Sequence, residues 1–218
     1  DVCGAMSQGY IGYHMQQGLE KVLRARKNGK RVVTVVTQVV VDKDDPKFKA
    51  PSKPIGPFYT EDEARKLEAE KGYTMKEDAG RGWRRVVASP MPVEIVELDA
   101  VKCLMNGGFI AITVGGGGIP VIKDENGNYI GTAAVIDKDL ASERLAEDID
   151  ADALVILTAV EQVCINFGKP EQKSLATMTV EEARRYMAEG HFAPGSMLPK
   201  VEAAVKFVES KPGRKAII

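Results

Sequence analysis

The segment Val32-Val33-Thr34-Val35-Val36-Thr37-Gln38-Val39-Val40-Val41 is an almost unbroken run of β-branched residues. Such side chains suit a pleated backbone, and a strand apolar on both sides has to be covered on both faces. That reads as a central strand of a largely parallel sheet, with helices packed above and below it.

The flanking segments agree. Met6, Tyr10, Ile11, His14, Leu19, Val22 and Leu23 recur at mostly three-to-four-residue spacing and are followed by Asn28-Gly29, which predicts a helix leading into the strand. Further on, the pattern predicts a helix over 98–106 closed by Gly107-Gly108, a strand over 109–114 and a glycine loop over 115–118. An Asn126-Gly127 hairpin turn, a short strand over 133–136, a helix over 140–149 and a second buried strand over 153–158 come next. Thr179-Val180-Glu181-Glu182 spells a capping box for a helix ending at Gly190. Ser196 is placed to cap a last helix with Pro199 in its first turn, and 215–218 read as the start of a strand. The predicted fold class is α/β, a three-layer αβα sandwich with a mainly parallel sheet.

Residues 42–92 depart from this rhythm. They hold six of the eleven prolines and many charges, with a capping box at Thr60-Glu61-Asp62-Glu63 and a short strand over 84–88. A small protruding subdomain is expected there, set on a core made of residues 1–41 and 93–218.

Composition narrows the function. With 30 Lys and Arg against 31 Asp and Glu, the chain has no basic excess with which to neutralise a nucleic-acid backbone, so neither nucleic acid nor membrane is expected as a partner. The longest apolar stretch is about half of the ~20 residues a spanning helix needs. Three cysteines, Cys3, Cys103 and Cys164, lie too far apart for a disulfide framework or a zinc site, which points to a cytoplasmic setting. The chain begins at Asp1 directly in a helical pattern and ends within a strand-like one, as a fragment would.

Four motifs could carry chemistry. Gly115, Gly116, Gly117 and Gly118 follow a strand, where backbone amides can approach an anion, though a flexible strand exit would look the same. Asp137-Lys138-Asp139 sits where a strand passes into a helix, so Lys138 could neutralise a transferred phosphoryl group while Asp137 holds the ammonium; a solvated helix start is the alternative. Lys200 lies in the first turn of the last helix, an unfavourable place for a cation unless an anion binds there. Lys53 is held in the stiff Pro51-Ser52-Lys53-Pro54 segment, suited either to aiming into a cleft or to a plain loop. His14 and His191 fit no metal or triad pattern.

Joined in order, residues 1–9, 53–58, 80–90, 115–121, 135–139 and 191–200 resemble the carbamate kinases of the amino acid kinase family. The resemblance implies reversible phosphoryl transfer between ATP and carbamate, giving ADP and carbamoyl phosphate, with Mg accompanying the nucleotide, ATP made during arginine breakdown, and a homodimer. It assigns Lys138 and Lys200 to the phosphoryl group in flight, Asp137 to orienting them, and Lys53 to reaching the substrate from the protruding subdomain. Gly115 to Gly118 would meet the nucleotide. Phe167 and Met197 resemble positions flanking the base, with a core role as the alternative, and one of Arg81, Arg84 and Arg85 is expected at the anionic substrate. No Gly-Gly-Asn-Ala opening like the family's is present, nor are its final strand and helix, so another amino acid kinase activity, or a catalytically inactive fragment that only dimerises or binds nucleotide, stays open.

Overall fold

Asp1 caps the first helix, α1 (Val2–Ala25), by accepting the Val2 amide on its own carboxylate. The structure, a computed structural model, describes residues 1–78 and 80–218. Of α1, only Gln8 and Gly12 are buried, while Met6, Tyr10 and Tyr13 stand exposed.

The β-branched run that follows is two strands, not one: β1 (Val32–Thr34) and β2 (Gln38–Val41). The break has a hydrogen-bonding cause. Buried Gln8 takes over the ladder at Thr37, its Oε1 accepting the Thr37 amide at 2.7 Å and its Nε2 donating to the Thr37 carbonyl at 3.1 Å. The Thr37 hydroxyl also donates to the Val35 carbonyl at 2.8 Å. With the Gln8 side chain, distant in sequence, bonding the Thr37 backbone, the chain changes partners there.

After a turn of 3₁₀ helix (Pro46–Phe48), β3 (Lys53–Tyr59), α2 (Glu61–Lys71), β4 (Met75–Glu77) and β5 (Trp83–Val87) build a unit of their own. It is a three-stranded antiparallel sheet in the order β3-β5-β4. Its helix starts on the expected capping box, with Thr60 and Glu63 each bonding the other's backbone amide.

The chain then continues through β6 (Pro92–Ile95), α3 (Leu98–Asn106), β7 (Ile110–Ile112), β8 (Ile119–Lys123), β9 (Tyr129–Gly131) and α4 (Lys138–Asp148). Parallel pairing joins β1 to β7 and β2 to β8, with β6 and β9 antiparallel at the edges of the order β6-β2-β8-β9. The strand expected over 133–136 is a single bridge from Ala88 to Ala134.

The last part comprises β10 (Ala153–Val155), β11 (Val163–Ile165), β12 (Lys173–Leu175), α5 (Val180–Ala188), α6 (Met197–Ser210) and β13 (Lys215–Ile217), the last parallel to β10. β10 is covered on one face rather than two: Leu154 and Ile156 are buried, while Val155 and Leu157 are exposed. Thr179 and Glu182 form the capping box of α5, and Gly190 follows in a left-handed conformation. Ser196 precedes α6 but makes no side-chain capping bond.

The core concentrates around α4 and α6. Ala141 of α4 joins Val39, Val41, Ile95 and Ile136; Leu140 and Ala146 meet Ala203 and Phe207 of α6; Val201 and Val205 pack on Val163, Ala183 and Phe192. The mixed α/β layering expected from the sequence is therefore present, with its parallel strands divided among separate hydrogen-bonded groups.

Candidate functional site

The glycine segment is a forced backbone path rather than a slack loop. Val114 already adopts φ 54°, rare for a β-branched residue, while its amide is held by the Thr37 hydroxyl at 3.1 Å. Gly116, Gly117 and Gly118 also have positive φ. A Cβ on Gly117 would collide with the Ile136 carbonyl, and one on Gly118 with the Val39 side chain. Glycine thus lets β8's lead-in touch the peptide that opens α4, which sets the Gly115–Gly118 turn against Asp137 and Lys138.

Asp137 caps α4. Its Oδ1 accepts the Asp139 amide at 2.9 Å, and its Oδ2 accepts Lys53 Nζ at 2.6 Å. Burial pushes this carboxyl's pKa up, but the Lys53 bond and charge, the Asp139 amide and the nearby Lys138 together hold it below the ordinary carboxylate value. The β3 unit is thereby pinned to the N-terminus of α4 through an 84-residue separation in sequence.

Two residues on, Asp139 does for Lys200 what Asp137 does for Lys53. Lys200 Nζ donates to Asp139 Oδ2 at 2.9 Å, both side chains being buried, and Lys138 Nζ lies 3.8 Å from the same oxygen with its side chain 62% exposed. Of the three lysines, Asp137 is hydrogen-bonded to Lys53 alone, and Asp139 is the carboxylate between Lys138 and Lys200. The sequence names Asp139 within the Asp-Lys-Asp motif but gives it no role, although the spelling carries the signal: an N-cap acid and a second acid in the first turn are both favoured at a helix start.

The helices align these groups. α4 and α6 run side by side in the same direction, joined near their starts by Asp139–Lys200 and beyond their ends by Lys211 and Arg214 on Asp150. Their N-termini, each the positive end of a helix dipole, lie together where Lys200 meets Asp139. Three ammonium groups, Lys53, Lys138 and Lys200, against two carboxylates leave one net positive charge there. Such a site can bind an anion and offset negative charge that builds up on it.

The remaining expected residues lie elsewhere. Met197 packs against the core cluster of Val163, Phe192 and Val201, while Phe167, in the β11–β12 hairpin, is 66% exposed. Arg81 and Arg84 both bond Asp78 and stack on Phe58, and Arg85 stacks on Tyr73, so all three are engaged within the β3 unit. His14 stacks against Tyr10 and Tyr13, and His191 bonds Glu189 at 3.0 Å.

A turn of glycines, two lysine–carboxylate pairs and convergent helix N-termini on an α/β scaffold are features of a phosphoryl-group-binding protein. Residues 46–218 match the description of the amino acid kinase family, and the chain belongs to that family. It is 61% identical over 218 residues to a carbamate kinase of Clostridium perfringens, an alignment covering all of this chain and 69% of the relative. Against a carbamate kinase of Thermococcus kodakarensis the identity is 56%, with the same coverage. Among solved structures, the carbamate kinase from Giardia lamblia bound to AMP-PNP superposes with a TM-score of 0.87 at 47% identity, covering 99% of this chain and 68% of that one.

Proposed function

We propose that the protein is a carbamate kinase, transferring a phosphoryl group reversibly between ATP and carbamate, and that it regenerates ATP from carbamoyl phosphate formed in arginine breakdown. The observation that carries this reading is the lysine–carboxylate array at the joined N-termini of α4 and α6.

The transferred group bears charge on its non-bridging oxygens, so catalysis calls for positioning and neutralisation more than covalent chemistry. Lys200, buried and fixed by Asp139, supplies a cation whose place is set before substrate arrives. Lys138, exposed beside it, can swing onto the oxygens. Lys53 comes from the β3 unit and can leave Asp137 for the substrate anion as that unit moves. The Gly115–Gly118 turn supplies close backbone approach to the nucleotide phosphates, and the Phe167 ring is free to lie against the base, whereas Met197 supports that region from the core.

Mg accompanies the nucleotide in this scheme and offsets phosphate charge. Among the described residues no three His, Cys, Asp or Glu side chains converge, and both site carboxylates already hold lysines. The residues present thus suit an ion carried in by the nucleotide. We further place the protein in the cytoplasm as a homodimer; the exposed Met6, Tyr10 and Tyr13 stripe of α1 supports a second copy as the surface it meets. No described helix is long and apolar enough to cross a membrane.

The test is ATP formation by the full-length protein from ADP, Mg and carbamoyl phosphate, corrected for spontaneous breakdown, beside a panel of acetylglutamate, glutamate and UMP with ATP. Turnover confined to the carbamoyl phosphate arm is expected. Turnover with another acceptor instead would reassign the substrate, and nucleotide binding without turnover would favour an inactive binding protein.

A further inference from the structure

Below the Asp139–Lys200 pair, between α4 and α6, lies a carboxylate that the transfer scheme does not use. Glu143 is 0% exposed, and neither of its oxygens has a hydrogen-bond partner. Its nearest cation, Lys206 Nζ of α6, stands 3.5 Å from Oε2, an ion-pair distance but a long one for a hydrogen bond. On its own helix, Arg144 turns away to Asp148 and Glu147. Burial pushes the Glu143 carboxyl's pKa up, Lys206 draws it down and Glu147 pushes it up again, with a raised value as the net result. A hydrophobic residue of this size would fit such a place at less cost.

Its position suggests what the cost secures. Asp139 and Glu143 are four apart on α4, so they share a face one turn from each other, while Lys200 and Lys206 lie on α6. Leu140 of α4 and Ala203 and Phe207 of α6 share one apolar cluster beside these charge pairs. Apolar contacts of this kind set how near two helices lie but only weakly how far one has slid along the other. Two charge pairs at separate levels do fix that sliding, because a slip of one turn, about 5.4 Å, separates both.

We propose that Glu143 is a positioning residue for phosphoryl transfer: paired with Lys206, it sets the axial register of α4 against α6 and thereby keeps Lys200 on Asp139. This rests on the kinase reading above, and Lys200 is the group through which it acts.

The experiment compares Glu143→Leu, Glu143→Gln and Lys206→Met in the full-length protein. It measures melting temperature, the ATP-forming kcat and KM, and the rate at which acetic anhydride modifies Lys200, followed by mass spectrometry. Glu143→Leu is expected to melt no lower than the parent, yet to lose about 10- to 100-fold in kcat with KM for ADP little changed, the effect of a misplaced catalytic cation. Lys200 should be acetylated several-fold faster, and Lys206→Met should follow in the same direction. Glu143→Gln, which keeps the shape, should lie between the two in both rates.

Parent-like kcat and parent-like Lys200 acetylation in both Glu143 variants would overturn the proposal. If Glu143→Leu does not fold, Glu143→Gln decides on the same criteria. Should the parent itself make no ATP from carbamoyl phosphate, the functional reading fails, and the acetylation rates still decide whether Glu143 places Lys200.

Discussion

Lys138 and Lys200 share one carboxylate and differ in burial, so their substitutions should part company. Lys138 is largely in solvent, and Lys138→Ala is expected to change stability by no more than about 0.5 kcal/mol while kcat falls about 100-fold or more. Lys200→Met removes the hydrogen-bonded partner of buried Asp139, leaving it only the exposed Lys138 at 3.8 Å, and should cost roughly 3 kcal/mol in denaturant unfolding. Adding Asp139→Asn to Lys200→Met should restore most of that stability and none of the activity. A double variant as unstable as the single one would show that the pair is not the source of the loss.

Glu143 gives a pH signature of opposite sign to Asp137. An acid whose pKa is raised by folding adds stability below its ordinary value, here 4.5, and that stability is lost as pH rises through the raised value. Lys206, Glu147, Arg144 and the Asp139 turn above are the charged groups around it. Melting curves should therefore show the parent losing ground to Glu143→Gln as pH climbs from about 4 toward neutrality. Asp137, whose pKa is lowered, contributes stability above its ordinary value of 3.8 that persists until pH falls through its folded value.

At the level of elements, the glycine turn and the capped helices make distinct predictions. Gly117→Ala and Gly118→Ala combine positive φ with a collision, against the Ile136 carbonyl and the Val39 side chain respectively. Each should cost at least about 1 kcal/mol and lower kcat as well, because α4's N-terminus must shift. Thr60→Ala and Thr179→Ala each remove a capping box and should cost about 1 kcal/mol, with kcat little altered. The capping boxes, the helix over 98–106 and the hairpin at Asn126-Gly127 were legible because local chemistry decides them. The split in the β-branched run was not, because its cause is Gln8, 29 residues away from Thr37. The short β7 and the absent strand over 133–136 share that character: Val114's φ and the Ala88 bridge come from distant partners.

For the whole molecule, the same division holds for the site. Lysines at 53, 138 and 200 could be singled out by their local setting, but which carboxylate each meets depends on how α4, α6 and the β3 unit come together. The exposed stripe on α1 predicts that Met6→Glu with Tyr10→Glu will shift a sedimenting dimer to monomer while leaving the fold's circular dichroism intact. A parent that sediments as a monomer at micromolar concentration would remove that assignment.

Pairing Lys53 with Asp137 and Asp139 with Lys200 spans separations of 84 and 61 residues. During synthesis, at roughly 5–20 residues per second, the last lysine leaves the ribosome about 7–30 seconds after the first. Until then both carboxylates on α4 cannot be matched, so a nascent chain halted anywhere before α6 has no assembled site, however well its earlier strands have paired.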